Sequence, residues 1–215
     1  MAIEAVIWDF GGVFTTSPFE AFNRYEAKRG LPKDLIRTIN ATNPHDNAWA
    51  LFERAEIDAR GFDVKFAEEA RALGYEVRGA DILPQLSGEV RPGMVAALKA
   101  CKQRFKVGCI TNNMRDAGKG AGMASSEEGA SRVGYIMAEF DAVIESSKVG
   151  VRKPDPKIYL MMCDLLSVKP QACVYLDDLG INCKPAAQLG MTAIKVVSEA
   201  QALAELAEAT GLVFA

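Results

Sequence analysis

Ala5-Val6-Ile7-Trp8-Asp9-Phe10-Gly11-Gly12-Val13-Phe14-Thr15 is the stretch from which the fold is read. Four apolar residues in a row, closed by a carboxylate and a Gly-Gly pair, fit a strand buried on both faces. Asp9 then falls at the carboxyl end of that strand, where open α/β sheets place their ligands. Gly11 and Gly12 allow a sharp turn and a close approach of backbone to a bound group. An Asp in this position serves equally as a helix cap or turn former, so its chemistry depends on what the other strands bring to it.

Outward from this strand, Ser17-Pro18-Phe19-Glu20 predicts a helix with Ser17 and Glu20 as a capping box, running to Arg29 and stopping at Gly30. Further helices are predicted over 32–41, 46–54, 58–73 and 80–86, with no strand among them. Residues 16–88 therefore read as a helical insertion, and 1–15 with 89–215 as one core domain. From Arg91 onward helix and strand alternate. Strands are predicted over 105–110, 142–144, 172–176 and 192–197, and helices from 92 to 103, 156 to 166, 181 to 189 and 200 to 209. The Gly-, Ala- and Ser-rich stretch 117–131 reads as a loop or frayed helix. This alternation predicts an α/β fold, a three-layer doubly wound parallel sheet with right-handed crossovers and an inserted helical cap.

The 215 residues are 49% hydrophobic and 25% charged, with a formal net charge of −3. That balance argues against nucleic acid or an anionic membrane as partner, so an anionic ligand must be held by local groups. Five cysteines without a C-x-x-C pair read as buried thiols in a reducing compartment. The first strand begins too early to leave room for a signal peptide, and no apolar run is long enough to span a bilayer. A cytoplasmic setting is expected, with oligomeric state open.

Three predicted strands end in polar residues: Asp9, Thr111-Asn112 and Asp177-Asp178. Parallel strands bring such ends to one edge. Between the last two lies Arg152-Lys153-Pro154-Asp155-Pro156, where prolines restrict the chain just ahead of a helix. Asp9, Asp177 and Asp178 together would repel unless a cation sat among them. Oxygen ligands without histidine suit Mg²⁺ better than zinc. A lysine and a hydroxyl beside such an ion make a site for a phosphoryl group, and the surplus carboxylate, Asp9, is then free to attack phosphorus.

Taken in order, four segments carry a family resemblance: Trp8-Asp9-Phe10-Gly11-Gly12-Val13, Ile110-Thr111-Asn112-Asn113, Glu145 to Tyr159 with its Arg152-Lys153-Pro154-Asp155-Pro156, and Leu176-Asp177-Asp178-Leu179-Gly180-Ile181-Asn182. The chain resembles the haloacid dehalogenase (HAD) superfamily hydrolases over essentially its whole length. Within them it is most similar to the phosphatase-like N-terminal domains of soluble epoxide hydrolases and some acyl-CoA dehydrogenases. The resemblance implies that Asp9 is the nucleophile, that Thr111, Asn112 and Lys153 bind phosphate, and that Asp178 ligates Mg²⁺. It also implies that Asp9 and the Gly11 backbone carbonyl are ligands, that Asp177 and Asn182 support them, and that 16–88 is a helical cap over the site.

One departure stands out. Most phosphatases of the superfamily carry a second Asp two residues after the nucleophile, as general acid and base, and this chain has Gly11. A positioned acid/base contributes about 10²–10⁴ in rate. The expected function is Mg²⁺-dependent hydrolysis of a small phosphate monoester. Its alternatives are a 2-haloacid dehalogenase, which needs no metal, and a low-activity or inactive module that binds a phosphorylated ligand. His45, the sole histidine, or Asp46 could supply the missing acid, or be plain loop residues. Trp49 and Phe52 read as cap core or as substrate-facing. Gly118-Lys119-Gly120-Ala121-Gly122 lacks the Gly-Lys-Ser/Thr ending of a nucleotide loop and reads as a loop.

Overall fold

Ala5–Trp8 forms β1, and every residue of it is fully buried. Alternate side chains serve two cores: Val6 and Trp8 point into one, Ala5 and Ile7 into the other. A strand covered on both faces has no use for polar alternation, which is why its sequence is uniformly apolar. The computed structural model describes residues 2–113 and 127–214.

After β1 the chain runs through α1 (Pro18–Arg29), α2 (Leu35–Ala41), α3 (Ala48–Glu53), α4 (Ala59–Ala72) and α5 (Gly79–Ile82), the last continued by a 3₁₀ turn over Leu83–Leu86. Then come α6 (Pro92–Lys102), β2 (Lys106–Thr111), α7 (Glu127–Met137), β3 (Ala142–Glu145), α8 (Ser146–Val149), α9 (Pro156–Leu166), β4 (Cys173–Asp177), α10 (Gly180–Gln188), β5 (Thr192–Lys195) and α11 (Glu199–Thr210). The strands form one parallel sheet in the order β3-β2-β1-β4-β5, with β1 at its centre. On one face, Met94 and Leu98 of α6, Ile136 of α7 and Leu206 of α11 pack with Val6 and Trp8. On the other, Ile158 and Met162 of α9 and Ala186 of α10 pack with Ala5 and Ile7. These are the three layers of an α/β doubly wound fold.

The helices between α1 and α5 hold a third core of their own, built from Phe22, Ile36, Ile39, Trp49, Phe52, Phe62 and Phe66. Trp49 lies 4.7 Å from Phe62 and Phe52 lies 5.0 Å from it, ring centre to ring centre, so both aromatics are core and not substrate-facing. The chain leaves the sheet and returns to it side by side. Thr15 and Val90 form an antiparallel bridge, flanked by bonds from the Thr16 amide to the Glu89 carbonyl and from the Arg91 amide to the Phe14 carbonyl.

Most predicted elements lie within a few residues of their expected positions, and three local readings need correction. Ser17 occupies the N-cap of α1 but its hydroxyl bonds elsewhere, so the capping box with Glu20 does not form. α2 starts at Leu35, not Pro32, after Asp34 in a left-handed conformation (φ 63°). Residues 127–131, read as part of a loop or frayed helix, open the regular helix α7. The rest of that stretch, with Gly118 to Gly122, lies outside the described residues. Cys101, Cys109, Cys163 and Cys173 are buried free thiols and Cys183 is half-buried. Among the described residues no helix is long and apolar enough to cross a membrane.

Candidate active site

The sheet register sets the site. β1 pairs Trp8 with Leu176 of β4, so one residue further on Asp9 stands level with Asp177, and the Asp9 amide donates to the Leu176 carbonyl at 2.8 Å. On the other side Trp8 pairs with Cys109, which puts Thr111 just beyond the level of Asp9, at the end of β2. Asp178 follows directly on Asp177. One carboxylate oxygen from each of Asp9, Asp177 and Asp178 lies within 4.8 Å of the others.

Lys153 enters this group from the loop before α9. It is 1% exposed, and its Nζ lies 2.7 Å from Asp9 Oδ1 and 2.8 Å from Asp177 Oδ2. Its peptide bond to Pro154 is cis. Its backbone is gripped by Asn112: the Lys153 amide donates to Asn112 Oδ1 (2.9 Å) and Asn112 Nδ2 donates to the Lys153 carbonyl (3.1 Å). The Asn112 side chain is thus committed to placing Lys153. Thr111 is buried, and so is Asn113, which braces the chain by accepting from the Ser147 amide and hydroxyl.

Asp177 is the most heavily bonded of the carboxylates. Beyond Lys153 it accepts from the Tyr175 hydroxyl (2.6 Å), the Leu179 amide (2.8 Å) and Asn182 Nδ2, which reaches both oxygens at 3.1 Å. Asn182 is buried, not on the outer surface of α10. Asp178 accepts from the Ser17 hydroxyl at 3.2 Å. Its carboxylate rests on Gly12, whose positive φ (74°) and missing β-carbon make the approach possible.

Burial and mutual repulsion dominate the electrostatics. Desolvation pushes the Asp9 carboxyl up to about 8; Lys153 pulls it down, but Asp177 and Asp178 add to the rise. Desolvation, then Asp177, likewise pushes Asp178 up to about 6. For Lys153, burial works against the charge, and the carboxylates of Asp177 and Asp9 together outweigh it and raise the pKa. One ammonium thus faces three carboxylates. An all-oxygen donor set with surplus negative charge, starved of solvent, fits a hard divalent cation.

Gly11 has open space around it: a β-carbon there would meet no other group within 4 Å. His45 and Asp46 are exposed on the loop before α3, and the neighbouring Pro44 carbonyl accepts from Arg152 at 2.9 Å. Sequence reasoning missed the parts played by Tyr175, Ser17, Glu53 and Arg152. Tyr175 was findable, since a residue two before Asp177 on the same strand shares its face. Ser17 was masked by its own N-cap signal, and Glu53 pairs with Arg152 across a distance in sequence that no local pattern encodes.

Comparison with known proteins agrees with this architecture. The chain is 30% identical over its full length to mouse bifunctional epoxide hydrolase 2, of which it spans only 40%. It is 28% identical to the phosphorylated carbohydrates phosphatase of Thermotoga maritima, over 89% of this chain and 84% of that one. A HAD family enzyme of Bacteroides thetaiotaomicron, solved in complex with magnesium and inorganic phosphate, superposes with a TM-score of 0.59 at 18% identity, covering 90% of this chain and 93% of the other. The haloacid dehalogenase-like hydrolase profile matches residues 3–190, and with a sheet whose strand ends gather Asp9, Lys153, Asp177 and Asp178, the chain belongs to that family of hydrolases.

Proposed function

We propose that this hydrolase cleaves a small phosphate monoester, with Mg²⁺ as cofactor, through an aspartyl phosphate on Asp9. The observation that carries the reading is the meeting of three carboxylates with one buried ammonium at the carboxyl ends of β1 and β4. Asp9, Asp178 and the Gly11 backbone carbonyl would hold the ion. When bound, Mg²⁺ would neutralise charge on the phosphoryl oxygens.

Lys153 engages Asp9 through Oδ1, which leaves Oδ2 as the attacking oxygen. Asp9 forms a bond to phosphorus as the ester P–O bond breaks, and the departing oxygen takes a proton from solvent. Water then attacks the phosphorus, the bond to Asp9 breaks, and the water's proton returns to solvent. Lys153 and the Thr111 hydroxyl hold phosphoryl oxygens through both steps. Asn112 contributes by fixing the Lys153 backbone, and Asp177, steadied by Tyr175 and Asn182, aims the ammonium. Residues 16–88 act as a cap that closes over the site, with 1–15 and 89–215 as the core.

A phosphorylated carbohydrate is the first substrate class to try, since that is what the Thermotoga relative is named for. The test is a phosphate-release screen with and without Mg²⁺, run beside Asp9→Asn. Metal-dependent release that vanishes in the variant is expected. Equal traces in both proteins would favour a binding module instead, and chloride release from a 2-haloacid in EDTA would favour a dehalogenase. The carboxylate cluster weighs against the latter, because an uncompensated anionic pair is a poor setting for an attacking carboxylate.

A further inference from the structure

One carboxylate of the helical segment ties into two of the loops that build the site. Glu53, the last residue of α3, accepts from Arg152 Nε (2.6 Å) and from Asn112 Nδ2 (3.2 Å) through the same oxygen. Its backbone carbonyl accepts from the Ser146 hydroxyl at 2.7 Å. Arg152 also donates through Nη1 to the Pro44 carbonyl at 2.9 Å, so it holds both ends of the segment 44–53. The side chains of Glu53 and Arg152 are 14% and 19% exposed, which shields the pair from much of the screening that weakens surface ion pairs.

These groups are not remote from the chemistry. Arg152 precedes Lys153 directly, and Asn112, the other partner of Glu53, bonds both the amide and the carbonyl of Lys153. Whatever moves Glu53 therefore moves the backbone on which the site's buried ammonium is mounted. The geometry points to Glu53 as a positioning residue, through which the seating of the helical segment sets the placement of Lys153. This rests on the reading that Lys153 holds a phosphoryl group. When the segment is seated, Arg152 and Asn112 are both satisfied and Lys153 is held at the Asp9–Asp177 pair. When it lifts, Arg152 loses its counterion and Asn112 loses an acceptor, and the grip on Lys153 slackens. Seating over a substrate and assembly of the anion site become one event, a familiar way of confining chemistry to the closed state.

The experiment compares Glu53→Ala and Glu53→Gln with the parent full chain in the presence of Mg²⁺. Its readouts are the affinity for inorganic phosphate and hydrogen exchange of the Lys153 amide, whose acceptor is Asn112 Oδ1. Glu53→Ala should weaken phosphate about tenfold and speed exchange at Lys153 as well as along 44–53. Glu53→Gln, nearly isosteric and still an acceptor for Asn112, should recover part of both losses. Combined with Asn112→Ala, Glu53→Ala should add little, because both changes cut one chain of contacts. Faster exchange confined to 44–53, with phosphate affinity and the Lys153 amide unchanged, would overturn the proposal and reduce the contact to a brace. If the parent shows no phosphatase activity, the catalytic reading fails alone, and the Lys153 amide still decides this one.

Discussion

A β-carbon on Gly12 would lie 2.1 Å from Oδ2 of Asp178. The contact explains why the turn after β1 ends in glycine. φ at Gly12 is 74°, so the backbone is in the left-handed region and the side chain of Asp178 fills the space a substituent would take. Gly12→Ala should cost about 1–3 kcal/mol of stability in urea unfolding. Because it displaces a proposed metal ligand, it should also raise the Mg²⁺ needed for half-maximal turnover by about 10–100-fold. Unchanged metal dependence in the variant would mean that Asp178 does not hold the ion.

Among the described residues, Lys153 is the one cationic side chain that pairs with Asp9 or Asp177. Lys153→Met keeps most of the apolar stem and deletes the charge, leaving two buried carboxylates facing each other. Breaking a buried pair in this way costs about 3–5 kcal/mol. The loss should be larger at pH 8 than at pH 5, because protons can partly replace the ammonium at the lower pH. Urea unfolding at the two pH values checks the direction, and phosphate release should be abolished at both.

How far the sequence reveals this arrangement depends on the range of each interaction. β1 was legible because burial on both faces leaves an unbroken apolar word, and the ends of β2 and β4 because a parallel sheet sends all its carboxyl ends to one edge. The helices were legible from local punctuation such as Pro18 and Gly30, the latter a left-handed C-cap at φ 65°. Ser17 misled for the same local reason: a serine before proline announces a cap, and nothing nearby says that Asp178, far along the chain, claims its hydroxyl. The resemblance reads Asn112 as phosphate-binding; that its side-chain amide also grips the Lys153 backbone is a pairing only the folded chain creates. Glu53 and Arg152 look like ordinary surface charges until two separate segments bring them together.

The raised carboxyls give a pH signature in the absence of metal. Asp9 moves from an ordinary value near 3.9 to about 8 and Asp178 to about 6. A folded-state pKa above the unfolded one means that the folded protein binds the proton more tightly. Its stabilising contribution is complete below the unfolded pKa and is lost as pH rises through the folded one. In EDTA the melting temperature should therefore fall steadily between pH 5 and pH 8. Asp63 and Glu56, held below the ordinary range by hydrogen bonds from Arg78 and Arg54, have their effect at lower pH and do not obscure this window. Saturating Mg²⁺ should flatten the slope, because binding to the ionised carboxylates replaces the proton. A slope indifferent to Mg²⁺ would count against a metal site at this cluster.

Gly11 permits a gain-of-function test. A β-carbon there meets nothing within 4 Å, and Gly11 is not among the residues with positive φ, so a side chain can branch from this position without backbone strain. If solvent alone protonates the leaving oxygen in the parent, Gly11→Asp supplies a positioned acid where none stood. It should accelerate hydrolysis of an alkyl phosphate by about 10²-fold. An aryl phosphate such as p-nitrophenyl phosphate, whose leaving group needs little protonation, should gain far less. Gly11→Asn, of equal size and without a titrating proton, should accelerate neither substrate. The ratio of alkyl to aryl turnover is the informative quantity, since changes in metal affinity or folding affect both substrates alike. A ratio unchanged in Gly11→Asp would show that another group already performs the proton transfer.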